Sequence, residues 1–188
     1  MRKRILDAAR ELFVKDGFSH VTMRQLARRI EYSPGTIYRY FKDKAEIFQE
    51  LREDAIAEFV SGQMRCAGEP DPRKRLRALG RGYLLFAIQQ PEKFELLFNP
   101  RATDPLDPRD HDADDPSFQL FVHTVEQCLD TGELGEADLE TTLVSLWSLV
   151  HGMACLANSG QLVDHVAEQD ILRVYDRATR FVLRPVNT

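Results

Sequence analysis

The chain has 188 residues, of which 43% are hydrophobic and 29% are charged. This length and composition allow one compact domain or two small ones, and they exclude a disordered or rod-like protein. Cys66, Cys128 and Cys155 are odd in number and far apart, which fits neither a disulfide framework nor a zinc site. We find no run of about 18 apolar residues and no signal peptide, so we expect a cytoplasmic protein without membrane contact.

Charge is distributed unevenly along the chain. The net charge is -5, yet residues 1–52 contain 12 Lys or Arg against 7 Asp or Glu. The first 52 residues therefore carry +5 and the remainder carries -10. A basic segment joined to an acidic one predicts that only the amino-terminal part meets a polyanion, although chance clustering of surface charge is the alternative.

The spacing of apolar residues predicts helices and no strands. The first helix ends at Gly17, and two short helices follow it. Thr22 and Gln25 match a capping box at the start of the second helix. Ser33-Pro34 combines an N-cap with a proline at the first helical position, where its missing N–H is harmless. A second capping box at 43–46 opens a longer helix.

The rest of the chain alternates predicted helices with short breaks. Residues 99–116 contain four prolines and six aspartates and are expected to form a loop. His111 among those aspartates could bind a divalent cation, but a solvated loop is favoured, and no metal or cofactor is predicted. Further helices are predicted over about 72–90, after Pro91, and over about 116–131, 137–159 and 165–183.

Two short helices joined by a tight turn at Glu31-Tyr32 match a helix-turn-helix, whose second helix enters the major groove of DNA. Basic side chains nearby are suited to phosphates, and hydroxyl groups can donate hydrogen bonds to them. The helix start at 33–36 offers free N–H groups, and Gly35 allows close approach to DNA. A helical hairpin whose tyrosines cover a core is the alternative. The candidate DNA-binding residues are Thr22, Arg24, Arg28, Ser33, Pro34, Gly35, Thr36, Tyr38, Arg39, Tyr40 and Lys44.

The sequences TMRQLA at 22–27 and YSPGTIYRYFKDK at 32–44 strongly resemble the DNA-binding head of the TetR family of bacterial transcriptional regulators. The resemblance covers about residues 3–50. Where the family often has small residues such as Ala-Gly, this chain has Glu31-Tyr32, so Tyr32 either contributes to sequence preference or packs. The resemblance implies phosphate contacts for Thr22, Tyr38, Tyr40 and Lys44, and contacts with bases and flanking phosphates for Ser33, Pro34, Thr36 and Arg39.

A weaker resemblance runs through the rest of the chain. Residues 83–98, followed by Trp147 and His151-Gly152, are similar to a TetR-family C-terminal domain of the Trp/His-Gly type. This resemblance implies an all-helical body that senses a ligand and dimerises. The predicted fold is therefore all-α, with about nine helices. It has a three-helix helix-turn-helix head over residues 1–48 and a helical regulatory and dimerisation bundle over residues 49–188.

Small side chains recur every three or four residues along one face of the helix predicted at 137–159, and the last helix offers an apolar face beside it. Two such helices from each of two subunits would form a four-helix dimer interface. The alternative is that the small residues seat a neighbour within one chain. The candidate interface residues are Ser145, Ser148, Gly152, Cys155, Ser159, Ile171, Tyr175 and Ala178.

Aromatic residues near helix breaks predict an apolar cavity for a small effector. Gly80 and Gly82, inside a predicted helix, could open space or permit a bend. Core packing is the alternative for any of these rings, and a hydrogen-bonded core histidine is the alternative for His151. The candidate ligand-binding residues are Tyr83, Phe86, Phe94, Phe98, Phe118, Phe121, Trp147 and His151.

The sequence contains no Gly-x-Ser-x-Gly, P-loop or His-Glu-x-x-His motif, so an enzyme is not predicted. It predicts a homodimeric transcriptional regulator, a repressor, that binds a palindromic duplex site and is released by a small apolar effector. The alternatives are a helical DNA-binding protein without such an effector, architectural or regulated by a partner, and a membrane-surface protein.

Overall fold

A computed structural model describes residues 1–98, 115–132, 134, 137–162, 165–167 and 170–182. Within these residues the chain forms nine α-helices and one 3₁₀ turn and contains no strand, which confirms the predicted all-α fold. The helices are α1 (Arg2–Asp16), α2 (Met23–Arg29), α3 (Pro34–Tyr38), α4 (Lys44–Met64), α5 (Pro72–Gln89), α6 (Pro91–Phe98), α7 (Pro116–Asp130), α8 (Leu139–Asn158) and α9 (Ile171–Val182), and the 3₁₀ turn is Phe18–His20.

The loop predicted at 99–116 lies outside the described residues except at its end, and so does its candidate cation ligand His111. At that end, Asp115 Oδ1 accepts hydrogen bonds from the backbone of Ser117 at 2.7 Å and of Phe118 at 3.2 Å. Asp115 therefore caps α7. Elsewhere in the described ranges, no group of three His, Cys, Asp or Glu side chains is suited to a metal ion.

Side-chain caps explain where several helices begin. Thr22 Oγ1 accepts a hydrogen bond from Gln25 N at 3.2 Å, and Gln25 Oε1 accepts one from Thr22 N at 2.7 Å. The predicted capping box at α2 is thereby confirmed. At α4 the pattern differs from the prediction. Asp43 accepts from Glu46 N, but the Glu46 carboxylate accepts from Lys42 N, one residue earlier than in a capping box.

The last helix begins at Ile171, later than the predicted position near 165. The reason is a turn after α8. Gly160 has φ 74°, and the backbone N–H groups of His165 and Val166 both donate to the Leu162 carbonyl, at 2.9 and 2.8 Å.

The chain divides into two compact units. The first unit contains Met1–Glu58 together with residues 90–98, and the second unit contains Phe59–Gln89 and the described residues from 115 onwards. Residues 49–58 and α6 therefore pack with the first unit, although the sequence groups them with the regulatory domain. The predicted boundary after residue 48 separates a DNA-binding domain from a regulatory domain by function, and it stays a prediction.

The core of the first unit is built around three aromatic rings. Phe13, Phe18 and Phe48 lie with ring centroids 5.1–5.6 Å apart, in tilted and edge-to-face arrangements that aromatic pairs prefer. Leu96 of α6 is fully buried in the same cluster. Lys93 of α6 also pairs with Asp54 of α4, at 2.7 Å. The core of the first unit is therefore completed by a segment distant in sequence.

Helix α5 contacts α7, α8 and α9 and forms the centre of the second unit. Asp176 of α9, with its side chain 8% exposed, accepts hydrogen bonds at 2.8 Å from Arg77 Nε and Arg81 Nη1 of α5. The hydrogen bond from Arg77 holds the pKa of the Asp176 carboxyl below its usual value, and the charge of Arg81 adds to this. These pairs fasten α9 to α5.

Gly80 makes room for a ring of α9. A Cβ at Gly80 would lie 1.7 Å from the Tyr175 hydroxyl oxygen, whereas a Cβ at Gly82 would lie 3.6 Å from the nearest atom, Gln63 Oε1. The space predicted beside Gly80 is therefore filled by Tyr175. Ile171 and Tyr175 are both buried within their own unit. The predicted dimer interface is corrected accordingly, and the dimer face proposed below leaves these two residues out.

Helix α8 is long and apolar enough to cross a membrane by length and composition alone, although the sequence analysis predicts no span. The core helix of a globular protein meets the same criterion, so one such helix is weak evidence for a span. Only 22% of its most apolar 18-residue window is buried. Much of the apolar surface of α8 is therefore uncovered in a single chain.

The two glycines of α5 provide a matched pair for a stability test. We expect Gly80→Ala to lower the free energy of unfolding by about 1–3 kcal/mol, because the methyl group overpacks against Tyr175. Gly82→Ala has room for its methyl group, so it should raise the free energy of unfolding by about 0.5 kcal/mol through better helix propensity. Urea unfolding measures both, and equal effects of the two substitutions would contradict the packing of Tyr175 on Gly80.

The Asp176 ion pairs should make the second unit sensitive to acid. Since the folded-state pKa of Asp176 lies below an unfolded value of about 3.9, their stabilisation is present above that pH and lost as pH falls through the folded value. Asp176→Asn should lower the free energy of unfolding at pH 7 by about 1 kcal/mol. In Asp176→Asn the free energy of unfolding should also fall less steeply with pH on the acid side than in the parent protein. Urea unfolding at a series of pH values measures this, and parallel pH profiles for the two proteins would contradict the role of the Asp176 ion pairs.

Candidate nucleic-acid interface

A tight turn joins α2 to α3. Tyr32 N donates to the Ala27 carbonyl at 2.9 Å and Glu31 N donates to the Arg28 carbonyl at 3.2 Å, which is the bond pair of a Schellman motif. Glu31 has φ 62°, in the left-handed region that favours glycine. The turn ends α2 and starts α3 within four residues, as a helix-turn-helix requires.

Helix α3 is only five residues long. Ile37 is its one buried residue, and the Ser33 side chain lies 3.1 Å from Thr36 Oγ1 instead of capping a backbone N–H. Because the macrodipole sums over aligned peptide units, so short a helix gives a weak one. The predicted anion site at 33–36 therefore lacks the support of a strong helix dipole.

Most of the candidate DNA-binding residues are exposed. Tyr38 is 55% exposed and Tyr40 is 39% exposed, so these tyrosines do not cover a core. This exposure removes the helical-hairpin alternative for both rings. Thr22, Arg24, Arg28, Ser33, Gly35 and Arg39 are also exposed, and Pro34, Thr36 and Lys44 are half-buried.

Lys44 has protein partners that the sequence does not predict. Its Nζ donates to the Phe18 carbonyl at 2.8 Å and lies 4.3 Å from the centroid of the Phe18 ring. These contacts hold the ammonium group of Lys44, at the start of α4, against the 3₁₀ turn. The predicted phosphate contact of Lys44 stays a prediction, and it would be made from this position.

Sequence reasoning missed two arginines in the first turn of α1. Arg2 and Arg4 contact the backbone on either side of α3, at Tyr40 and Ile30 respectively. Their partners are 38 and 26 positions away in the chain. No local pattern reveals such contacts, although the basic start of the chain was visible in the sequence.

The candidate ligand-binding residues are distributed over both units. Tyr83 Oη lies 2.9 Å from His151 Nδ1, and the Trp147 and His151 ring centroids are 6.2 Å apart. Phe59, which the sequence analysis missed, contacts the rings of both Tyr83 and Phe86. Burial raises the pKa of the Tyr83 hydroxyl, which therefore stays protonated. Phe94 and Phe98 instead pair in the first unit, and Phe118 and Phe121 pair on α7.

The predicted small-residue stripe of α8 lies at or near the surface. A Cβ at Gly152 would meet nothing within 4 Å. Val144 is 55% exposed and Leu156 is 39% exposed beside the stripe, so this face of α8 is open and partly apolar. Ser148, Cys155 and Ser159 are exposed, and Ser145, Gly152 and Ala178 of α9 are half-buried.

Two family models match the chain. A model described as bacterial regulatory proteins, tetR family, matches residues 5–51, and a model described as tetracyclin repressor-like, C-terminal domain, matches residues 76–182. The second match alone covers more than half of the chain. The chain belongs to the TetR family. The resemblance predicted from the sequence is thus confirmed, while the Trp/His-Gly type of the C-terminal domain stays a prediction.

Three relatives illustrate the similarity. UidR, an HTH-type transcriptional regulator of Escherichia coli strain K12, is 39% identical over 62 residues, which are 31% of this chain and 32% of UidR. The crystal structure of the TetR-family regulator PfmR from Thermus thermophilus matches with a TM-score of 0.72 at 17% identity, over 100% of this chain and 98% of that one. AibR in complex with isovaleryl coenzyme A and operator DNA matches with a TM-score of 0.69 at 15% identity, over 96% of both chains.

The aligned segment spans about a third of the length of UidR, and the two structural matches show the fold alone. The family is described as bacterial regulatory proteins, and UidR is an HTH-type transcriptional regulator. Homodimers, small-molecule effectors and repression are typical of the family. The operator, the effector and the direction of regulation for this chain are matters for proposal.

The left-handed conformation of Glu31 gives a stability test. We expect Glu31→Gly to raise the free energy of unfolding by about 0.5–1 kcal/mol, because the relief of left-handed strain exceeds the larger chain entropy of unfolded glycine. Glu31→Ala is the matched control, since it removes the carboxylate but keeps the strained Cβ, and it should bring no gain. Urea unfolding curves measure the difference, and a gain for Ala equal to that for Gly would make charge, not strain, the cause.

Proposed function

We propose that this protein is a repressor that binds a palindromic operator as a homodimer, with α3 of each subunit, the recognition helix, in successive major grooves. The observation that carries the proposal is the exposed, basic and tyrosine-rich surface of α2 and α3. Tyr38 is 55% exposed and Tyr40 is 39% exposed, so both rings are accessible to a partner. A phenol hydroxyl beside arginines suits phosphate oxygens.

The DNA contacts divide into two classes in this proposal. Thr22, Tyr38, Tyr40 and Lys44 bind backbone phosphates, together with Arg24 and Arg28, and they provide affinity without reading sequence. Arg39 and the residues of the α3 start read base edges, because the amino-terminal part of a recognition helix and its exposed face approach the groove floor. Those residues are Ser33, Pro34, Gly35 and Thr36.

The dimer forms through the open face of α8 in this proposal, with Ala178 of α9 beside it. Large apolar side chains of α8 are exposed in one chain, and a second surface that covers them would stabilise this helix. Small side chains allow close approach of a second helix, and exposed Val144 and Leu156 supply apolar area. Ser145, Ser148, Gly152, Cys155 and Ser159 are the central contacts.

The effector binds in the second unit near Tyr83, Phe86, Trp147 and His151. This group combines aromatic rings with a few polar atoms, which suits a small apolar molecule carrying one polar group. AibR, a protein of the same fold, is described with both isovaleryl coenzyme A and operator DNA. Binding would favour a conformation in which the two recognition helices no longer match grooves about 34 Å apart.

Selection of bound fragments from randomised duplex DNA tests the proposal. We expect a motif with two-fold symmetry, and sedimentation of the complex should give two subunits per site. A reporter driven by that motif should rise in activity when the gene for this protein is deleted. A motif without symmetry would contradict the dimer, and a fall in reporter activity would make the protein an activator.

Substitutions in α3 and α4 separate the two classes of contact. Tyr38→Phe and Lys44→Ala should weaken binding by about fivefold to tenfold on every duplex, because each loses a phosphate contact. Arg39→Ala should instead change the selected motif, since it removes a base contact worth about 1–3 kcal/mol of discrimination. Gel-shift series on the selected site and single-base variants measure both. Equal losses on all sequences for Arg39→Ala would contradict its role.

A further inference from the structure

Helix α3 cannot hold its own position. A helix of five residues is far below the length at which isolated helices persist in water. Its N-cap Ser33 makes no side-chain bond to the backbone, and only Ile37 anchors it in the core. Ile37 fixes the depth of the helix, but one buried side chain does not fix the direction of its axis. Other contacts must hold its two ends.

Arg4 of α1 holds the amino-terminal end of α3. Its Nη2 donates to the Ile30 carbonyl at 3.3 Å, at the C-cap of α2. Its guanidinium carbon lies 5.3 Å from the centroid of the Tyr32 ring, within cation–π range. Tyr32 directly precedes the N-cap Ser33. Arg4 thus binds the turn on both sides of Glu31, where α3 begins, and it gives the exposed Tyr32 ring a packing partner.

Arg2 of α1 holds the carboxy-terminal end of α3. Its Nη1 donates to the Tyr40 carbonyl at 3.1 Å, and its Nε donates to Glu50 Oε1 of α4 at 3.0 Å. Its Nη2 also pairs with the other carboxylate oxygen of Glu50. The guanidinium carbon lies 4.3 Å from the centroid of the Phe41 ring. One planar side chain therefore joins the exit of α3 to α4.

We infer that Arg2 and Arg4 are positioning residues that hold the two ends of the recognition helix in its DNA-binding orientation. Side chains two residues apart on a helix do not share a face, which lets Arg2 and Arg4 reach opposite ends of α3. A guanidinium can donate several bonds in a fixed plane, as both contacts require, whereas an ammonium group is a point charge. The inference deepens the proposed function and rests on DNA binding through α3.

Lys3 lies between the two arginines, is exposed, and provides a matched control. Lys3→Ala removes the same charge from the same turn of α1. We expect Arg2→Ala and Arg4→Ala to weaken binding to the selected operator by about tenfold relative to Lys3→Ala, measured by fluorescence anisotropy. The slope of log K against log salt should match that of Lys3→Ala, because a positioning residue releases no counterions of its own. Losses equal to that of Lys3→Ala would overturn the inference.

Substitution of Glu50 provides a further test, because its charge and its contact with Arg2 predict opposite changes in operator affinity. Removing a carboxylate from a DNA-binding surface should strengthen binding by charge alone. The positioning role predicts weaker operator binding for Glu50→Gln, because Arg2 loses its paired acceptor. Arg2→Lys should likewise fail to restore the affinity, since a lysine cannot bind Glu50 and the Tyr40 carbonyl in the same plane. Tighter or unchanged binding by Glu50→Gln, or full rescue by Arg2→Lys, would overturn the role of Arg2.

Hydrogen exchange without DNA gives a readout that does not depend on the proposed function. The amides of Tyr40 and Phe41 both bond to the Ile37 carbonyl, at 2.8 and 3.1 Å, and should be protected in the parent protein. In Arg2→Ala their exchange should be several-fold faster, while Lys3→Ala leaves it unchanged and the melting temperatures of the two variants agree. Unchanged exchange in Arg2→Ala would overturn the inference even if DNA binding is lost. Faster exchange without any operator binding by the parent would contradict the proposed function alone.

Discussion

The structure of the first unit depends on the seating of one short helix. Ile37 is fully buried and fixes the depth at which α3 lies on the core. The Phe13, Phe18 and Phe48 cluster forms the core to which α1 and α4 also contribute. The Schellman turn at Glu31 sets the direction in which α3 leaves α2. The proposed DNA-binding surface thus rests on a core of aromatic packing.

The first unit is not a continuous piece of the chain. Leu96 of α6 is buried in its core, and Lys93 pairs with Asp54 of α4. The intervening residues 59–89 belong to the second unit. A structural change in α6 would therefore act on the core that also contains Ile37 of α3. In the second unit, Asp176 and Tyr175 fasten α9 to α5, which leaves the surface of α8 as the apolar face still to be covered.

Local structure around the candidate site was predictable where the signal is local. The capping box at Thr22 and the exposed tyrosines follow from residues within one or two helical turns. The contacts of Arg2, Arg4 and Lys44 escaped prediction because their partners lie 26 to 48 positions away. Phe94 and Tyr83 are close in sequence but belong to different units, a division that apolar spacing alone does not reveal.

Helix type, most helix bounds and the family were determined by the sequence by itself. They depend on caps, prolines and apolar spacing, which act over a few residues. The tertiary structure decided which faces are covered. Tyr175 of α9 fills the space beside Gly80, Ile171 of α9 is buried in its own unit, and Val144 and Leu156 of α8 are exposed. Burial depends on which helices pack together, and that choice is made by the whole chain.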